Sequence, residues 1–62
     1  MATLRNILNR FISYEKSLSR NYLDYSKTVQ LDEIQQALEE LHLQHRNNQR
    51  RLEALLKKHC PG

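Results

Sequence analysis

The sequence predicts an all-α fold: a two-helix antiparallel hairpin with coiled-coil-like packing, assembling into a four-helix bundle dimer. Three observations lead there. Nine positions, Leu31, Ile34, Leu38, Leu41, His45, Asn48, Leu52, Leu55 and His59, alternate three and four residues apart, and six of them are Leu or Ile. The one glycine and the one proline stand together at the end, as Pro61 and Gly62, so the interior lacks the punctuation of strands and tight turns. Leu, Gln, Glu, Arg, Lys and Ala dominate, and all are good helix formers. A 3-4 rhythm draws a narrow stripe along one side of a helix, and that stripe needs a second helix to cover it.

At 62 residues the chain is a single small helical domain, 1–62, whose own core is marginal. Its one cysteine, Cys60, rules out an internal disulfide. Oligomerisation, or folding onto a partner, is the expected remedy. A lone thiol fits a reducing compartment, so a cytoplasmic location is expected. Residues 1–14 carry Arg5 and Arg10 among apolar residues but show no continuous apolar run or small-residue cleavage site of a secretory signal. The same residues have the amphipathic, arginine-bearing character of a mitochondrial presequence, a pattern that an ordinary bundle helix also shows. No stretch approaches the ~20 apolar residues of a membrane span.

The first helix is expected over about 3–25, with Thr3 as its cap. Leu4, Ile7, Phe11, Tyr14, Leu18 and Tyr25 keep a heptad phase, Asn21 fills the missing rung, and Leu8 and Tyr22 widen the stripe. A wide stripe suits a bundle better than a two-stranded coiled coil. A turn is expected at about 26–28, where serine and β-branched residues weaken helix. There the heptad phase slips by one residue, since Tyr25 projects forward to Asp32 whereas the second stripe uses Leu31. One continuous helix with a broken stripe is the alternative, but it leaves much of the wide first stripe uncovered. The second helix is expected over about 29–59, capped by Thr28 and stopped by Pro61 and Gly62. Asp32 and Glu33 near its start and Lys57, Lys58 and His59 near its end complement the helix dipole. About eight extra residues make it outrun the first helix by roughly 12 Å at ~1.5 Å per residue. Leu52, Leu55 and Leu56 are then expected to lie on an uncovered end.

The net charge of +3 is uneven. Asp32, Glu33, Glu39 and Glu40 form an acidic block with no base between them, and Arg46, Arg50, Arg51, Lys57 and Lys58 form a basic block broken only by Glu53. Two copies of the second helix packed antiparallel set acid beside base, and packed parallel they set like beside like. Each exposed pair is worth little, but the sum biases orientation. In the hairpin, Lys16 and Arg20 are expected near Glu33 to Glu40.

No catalytic, cofactor or metal motif stands out. His42 and His45 are three apart, but zinc needs three or four ligands, and nothing in the spacing recruits His59 or Cys60. His45 with Asn48 reads instead as a polar rung that sets register and partner number. Protonation of a seam His45 between chains is expected to loosen the assembly. Cys60 at a helix end reads as an incidental thiol. The amphipathic first segment carries Glu15 and Asp24 and is only modestly basic, a poor fit to an anionic membrane surface.

These features point to a small non-catalytic protein–protein interaction module: an adaptor, assembly factor, small chaperone or regulator acting through its stripe. The expected contacts are Leu31, Ile34, Leu38, Leu41, His45, Asn48, Leu52, Leu55 and Leu56, with Phe11, Tyr14 and Leu18 as the counterface inside the hairpin. A second reading is a dimeric nucleic-acid-binding regulator, with Arg46, Arg50, Arg51, Lys57 and Lys58 on phosphates and Tyr14, Tyr22 and Tyr25 stacking on bases. A third is a co-chaperone of a helical polymerising subunit, such as a secretion-system component.

Overall fold

The computed structural model of the chain describes residues 3–61 and consists of two helices packed side by side. The first, α1, spans Leu4–Ser26, and the second, α2, spans Asp32–His59. Gly62, expected to share in the stop of the second helix, lies outside the described residues. No helix among them is long and apolar enough to cross a membrane.

Thr3 caps α1. It is extended (φ −83°, ψ 161°), and its Oγ1 accepts the Asn6 N–H at 3.1 Å, satisfying one amide that the first turn would leave orphaned. The other end closes without a glycine. The Tyr25 carbonyl accepts the amides of Thr28 and Val29 at 3.1 and 3.0 Å, and the Thr28 hydroxyl also donates to it at 3.1 Å. Thr28 therefore closes the first helix rather than capping the second. The second helix begins at Asp32, three residues later than expected. Its cap position is Leu31, extended at φ −94°, ψ 113°, with no side-chain hydrogen bond. Asp32 and Glu33 in its first turn supply the negative charge that favours those free amides.

The late start of α2 removes part of the expected overhang. With 23 residues in α1 and 28 in α2, the mismatch is five residues rather than eight. Arg5 at the start of α1 donates from Nη2 to the Cys60 carbonyl at 3.1 Å, so the two helices end together. Leu52 and Leu56 are half-buried, and Leu55 is exposed because of the side of α2 it occupies, not because the helix runs past its neighbour.

The stripe of α1 that meets α2 is not the expected one. The buried or half-buried positions are Leu8, Ile12, Glu15, Ser19, Tyr22, Leu23 and Ser26, and all but Leu23 are spaced alternately four and three apart. Only Leu8 and Ile12 among them are buried apolar side chains, at 8% and 9% exposure, while Ser19 and Ser26 are the buried polar ones. The predicted heptad residues Leu4, Ile7, Phe11, Tyr14, Leu18 and Tyr25 are all exposed. Phe11, Tyr14 and Leu18 are thus not the internal counterface, and the reason lies in the polar groups of the seam described below. Opposite Leu8 and Ile12, α2 contributes Leu52 and Leu56, while Leu38 and Leu41, also half-buried, lie nearer Ser19 and Tyr22.

The result is a flat slab with extents of 44 × 20 × 13 Å, one helix layer thick. Replacing Leu8 or Ile12 by alanine is expected to cost about 2–3 kcal/mol, the lower part of the usual range for core truncation. Tyr14→Ala in the isolated hairpin is expected to cost under about 0.5 kcal/mol. Urea unfolding followed by circular dichroism at low protein concentration checks this, and the reverse ranking would mean that α1 presents its other stripe to α2.

Candidate interaction face and the seam behind it

The hairpin is held by a row of polar contacts between α1 and α2. His42 Nδ1 lies 2.9 Å from the Ser19 carbonyl oxygen and 2.9 Å from Ser19 Oγ. A carbonyl only accepts, so Nδ1 carries the proton and donates. The Ser19 hydroxyl in turn donates to the His42 carbonyl at 3.3 Å. One turn along, His45 Nδ1 donates to Glu15 Oε2 at 2.5 Å, and the His45 ring stacks on Tyr22 with centroids 5.2 Å apart and planes 15° from parallel. Among the described residues no buried side-chain nitrogen or oxygen lacks a partner. Serine at 19 matters for its size as well as its hydroxyl, because its oxygen reaches the backbone of α2 directly.

These contacts explain the choice of stripe. Two imidazoles on the inner side of α2 need partners once water is removed, and an unpaired polar group there costs about 1–3 kcal/mol. Glu15 and Ser19 supply those partners, and they lie on the Leu8–Ile12 stripe. The Phe11–Tyr14–Leu18 stripe offers one phenol hydroxyl at most. His45 is thus a register-setting polar rung, but its polar contacts are made inside the hairpin. The Glu15 carboxylate is the partner of its ring nitrogen Nδ1.

The seam does not make a catalytic pair of Ser19 and His42. The hydroxyl proton goes to a carbonyl, Nδ1 is itself a donor, and Ser19 is 6% exposed, leaving no room for a substrate. Among the described residues no three His, Cys, Asp or Glu side chains gather as metal ligands.

One broad side of the slab carries most of the large exposed side chains, with Leu43 on the other rim of α2 beside Arg50. From α1 come Leu4, Ile7, Phe11, Tyr14, Leu18 and Tyr25, with Phe11 and Tyr14 in an edge-to-face pair at 6.2 Å. A shallow groove between the helices on this side is lined by Phe11 and Glu15 of α1 and by Asn48, Arg51, Leu52 and Leu55 of α2. Of the expected contact residues, Leu38, Leu41, His45, Asn48, Leu52 and Leu56 are half-buried against α1, while Leu31, Ile34 and Leu55 are exposed. The opposite side of α1 is polar, with Ser13, Lys16, Ser17, Arg20 and Asn21 lining a hollow on the helix surface. Lys16 and Arg20 were expected beside Glu33 to Glu40, but the ion pair formed among the described residues is Glu15–His45.

The basic set splits. Arg46, Arg50, Arg51, Lys57 and Lys58 are all exposed. At ~3.6 residues per turn, Arg46, Arg50 and Lys57 share one rim of α2 while Arg51 and Lys58 lie along the other. Arg51 sits beside Phe11 in the groove. Tyr22, one of the expected stacking residues, is already stacked on His45. The basic residues thus lie along two rims of α2, and of the expected stacking residues Tyr14 and Tyr25 are exposed.

Glu15 and Ser19 were not singled out as functional from the sequence, and His42 and Tyr22 were weighed there for metal binding and base stacking rather than for the seam. The signal lay in the breadth of the apolar arc of α1, which is wide enough for two neighbours. No protein-family model matches the chain, and neither a curated protein nor a solved structure matches it. Glu15→Ala is expected to destabilise the hairpin by about 1–2 kcal/mol, and a double-mutant cycle with His45→Ala to return coupling of about 1 kcal/mol or more. Additive single effects in urea unfolding would show that the pair contributes nothing to register.

Proposed function

We propose that this chain is a small non-catalytic helical interaction module that associates with a second copy through the broad apolar side of the hairpin, completing a four-helix bundle. The observation that carries this reading is the imbalance of the lone hairpin: two buried apolar side chains against six large exposed ones on α1 alone. Its accessible surface is 5233 Å², about 1,000 Å² above the ~4,200 Å² of a compact monomer of 7.4 kDa. That excess is close to the ~800 Å² each partner gives to a standard interface. Monomers rarely leave so continuous an apolar face in water. A lone unpaired thiol, Cys60, fits a reducing compartment such as the cytoplasm.

Sedimentation equilibrium over micromolar to millimolar concentration tests the reading with wild type and Phe11→Lys. Phe11 is 49% exposed in the hairpin, so its replacement leaves the seam intact. The expected outcome is a dimer in wild type and a helical monomer in the variant, with dimerisation weakened at least a hundredfold, the scale of a lost aromatic anchor. Wild type that stays monomeric throughout sinks self-association and turns the same face toward a helix of another protein, as in a co-chaperone.

A further inference from the structure

Self-association as proposed above leaves two arrangements of the hairpins, with their loops at the same end or at opposite ends, and the charges along one edge of the apolar face discriminate between them. Glu33, Glu40, Arg51 and Lys58 are all exposed. Glu33 and Arg51 are eighteen residues apart, as are Glu40 and Lys58. Eighteen residues are five turns at ~3.6 per turn, and seven residues separate Glu33 from Glu40, so all four fall along one rim of α2. Arg51 lines the groove with Phe11 and Leu55, which places this rim at the edge of the apolar face.

The four charges are antisymmetric about the middle of α2. Glu40 and Arg51 stand five and a half residues either side of the point between His45 and Arg46, and Glu33 and Lys58 stand twelve and a half. That point is also the midpoint of Asp32–His59. The helix dipole accounts for charge in the first and last turns only. Glu33 and Lys58 meet that condition, but Glu40 and Arg51 are each the ninth residue from their end of α2. The inner pair therefore needs another explanation.

We infer that the partner seated on the apolar face is a second copy turned end for end, with the two-fold axis crossing α2 between His45 and Arg46 and the loops at opposite ends of the bundle. In that arrangement α2 packs antiparallel to α2 of the partner, and each rim meets the same rim of the other copy in reverse order. Glu40 then faces Arg51 of the second copy and Glu33 faces Lys58, four complementary contacts in all. The same axis overlaps the apolar stripes of the two α1 helices along their length. With loops at the same end, α2 meets α1 of the second copy instead. Arg51 is level with Phe11, so that arrangement sets Arg51 against Arg10 of the other copy, a like-charge contact. The 44 × 20 Å side of the slab is thus covered by its own image, and the acidic and basic blocks make the pairing self-complementary.

Two measurements on the full chain decide this. A nitroxide on Cys60, the one cysteine, reports the distance between the ends of the two copies. At ~1.5 Å per residue the proposed dimer separates the labels by roughly 44 Å, whereas loops at the same end bring them within about 25 Å. Charge reversal reads the same geometry independently. Glu40→Lys alone and Arg51→Glu alone are each expected to weaken dimerisation roughly tenfold, because each reverses two symmetric contacts, and the double variant is expected to return to within about threefold of wild type. Helicity by circular dichroism is unchanged throughout, since neither residue takes part in the seam. A short label distance, or single variants that do not rescue one another, overturns the end-for-end arrangement while leaving self-association standing. A wild-type chain that is monomeric at all concentrations overturns both.

Discussion

The pairing of two histidines on α2 with Glu15 and Ser19 on α1 is the constraint from which the rest of the structure follows. It selects one of two stripes on α1. Hydrophobic burial alone does not favour that stripe, because the other is richer in large apolar side chains. The decision is made by the cost of leaving an imidazole or a carboxylate without a partner, which exceeds the gain from an extra apolar contact of partial burial. Once the seam is set, Leu8 and Ile12 are the only buried apolar side chains among the described residues, and the aromatic side of α1 faces outward.

That arrangement makes the hairpin a half-finished object. A two-helix layer 13 Å thick has no inside to speak of, and its stability rests on a short apolar contact, a polar seam, one sound helix cap and the Arg5–Cys60 latch at the open end. Small domains of this size usually add a disulfide, a metal or a second chain. The single cysteine excludes an internal disulfide, and a second chain suits the shape of the exposed face. The same polar seam that takes room from the apolar core ties Ser19 to His42 and Glu15 to His45 across the two helices.

How much of this was legible in the residues can be judged element by element. The two helices, the Thr3 cap and the break between Tyr25 and Leu31 follow from local chemistry: glycine and proline are confined to the end, a hydroxyl precedes the first turn, and the stripe changes phase. The start of α2 was misjudged because Thr28 has two uses for its hydroxyl, and the carbonyl of Tyr25 lay closer than any amide of the second helix. The facing stripe of α1 was misjudged because a heptad count weighs apolar residues and ignores that serine and glutamate can be the better neighbours of histidine. The even overlap of the helix ends was hidden for a related reason, since it depends on three residues that remain outside α2.

The sequence by itself determined that the chain is helical and that it carries more apolar surface than one hairpin can cover, and it favoured a fold-back near 26–30 over one continuous helix. Those are properties of local propensity, periodicity and count, and they need no knowledge of what touches what. Only the tertiary structure decided which half of the apolar arc of α1 is spent inside and which half is left exposed. The physical reason is that helix periodicity places both halves on the same side of α1 within a quarter turn of each other. Choosing between them requires the hydrogen-bond geometry of Glu15, Ser19, His42 and His45 across the interface, residues that stand 23 and 30 positions apart in the chain.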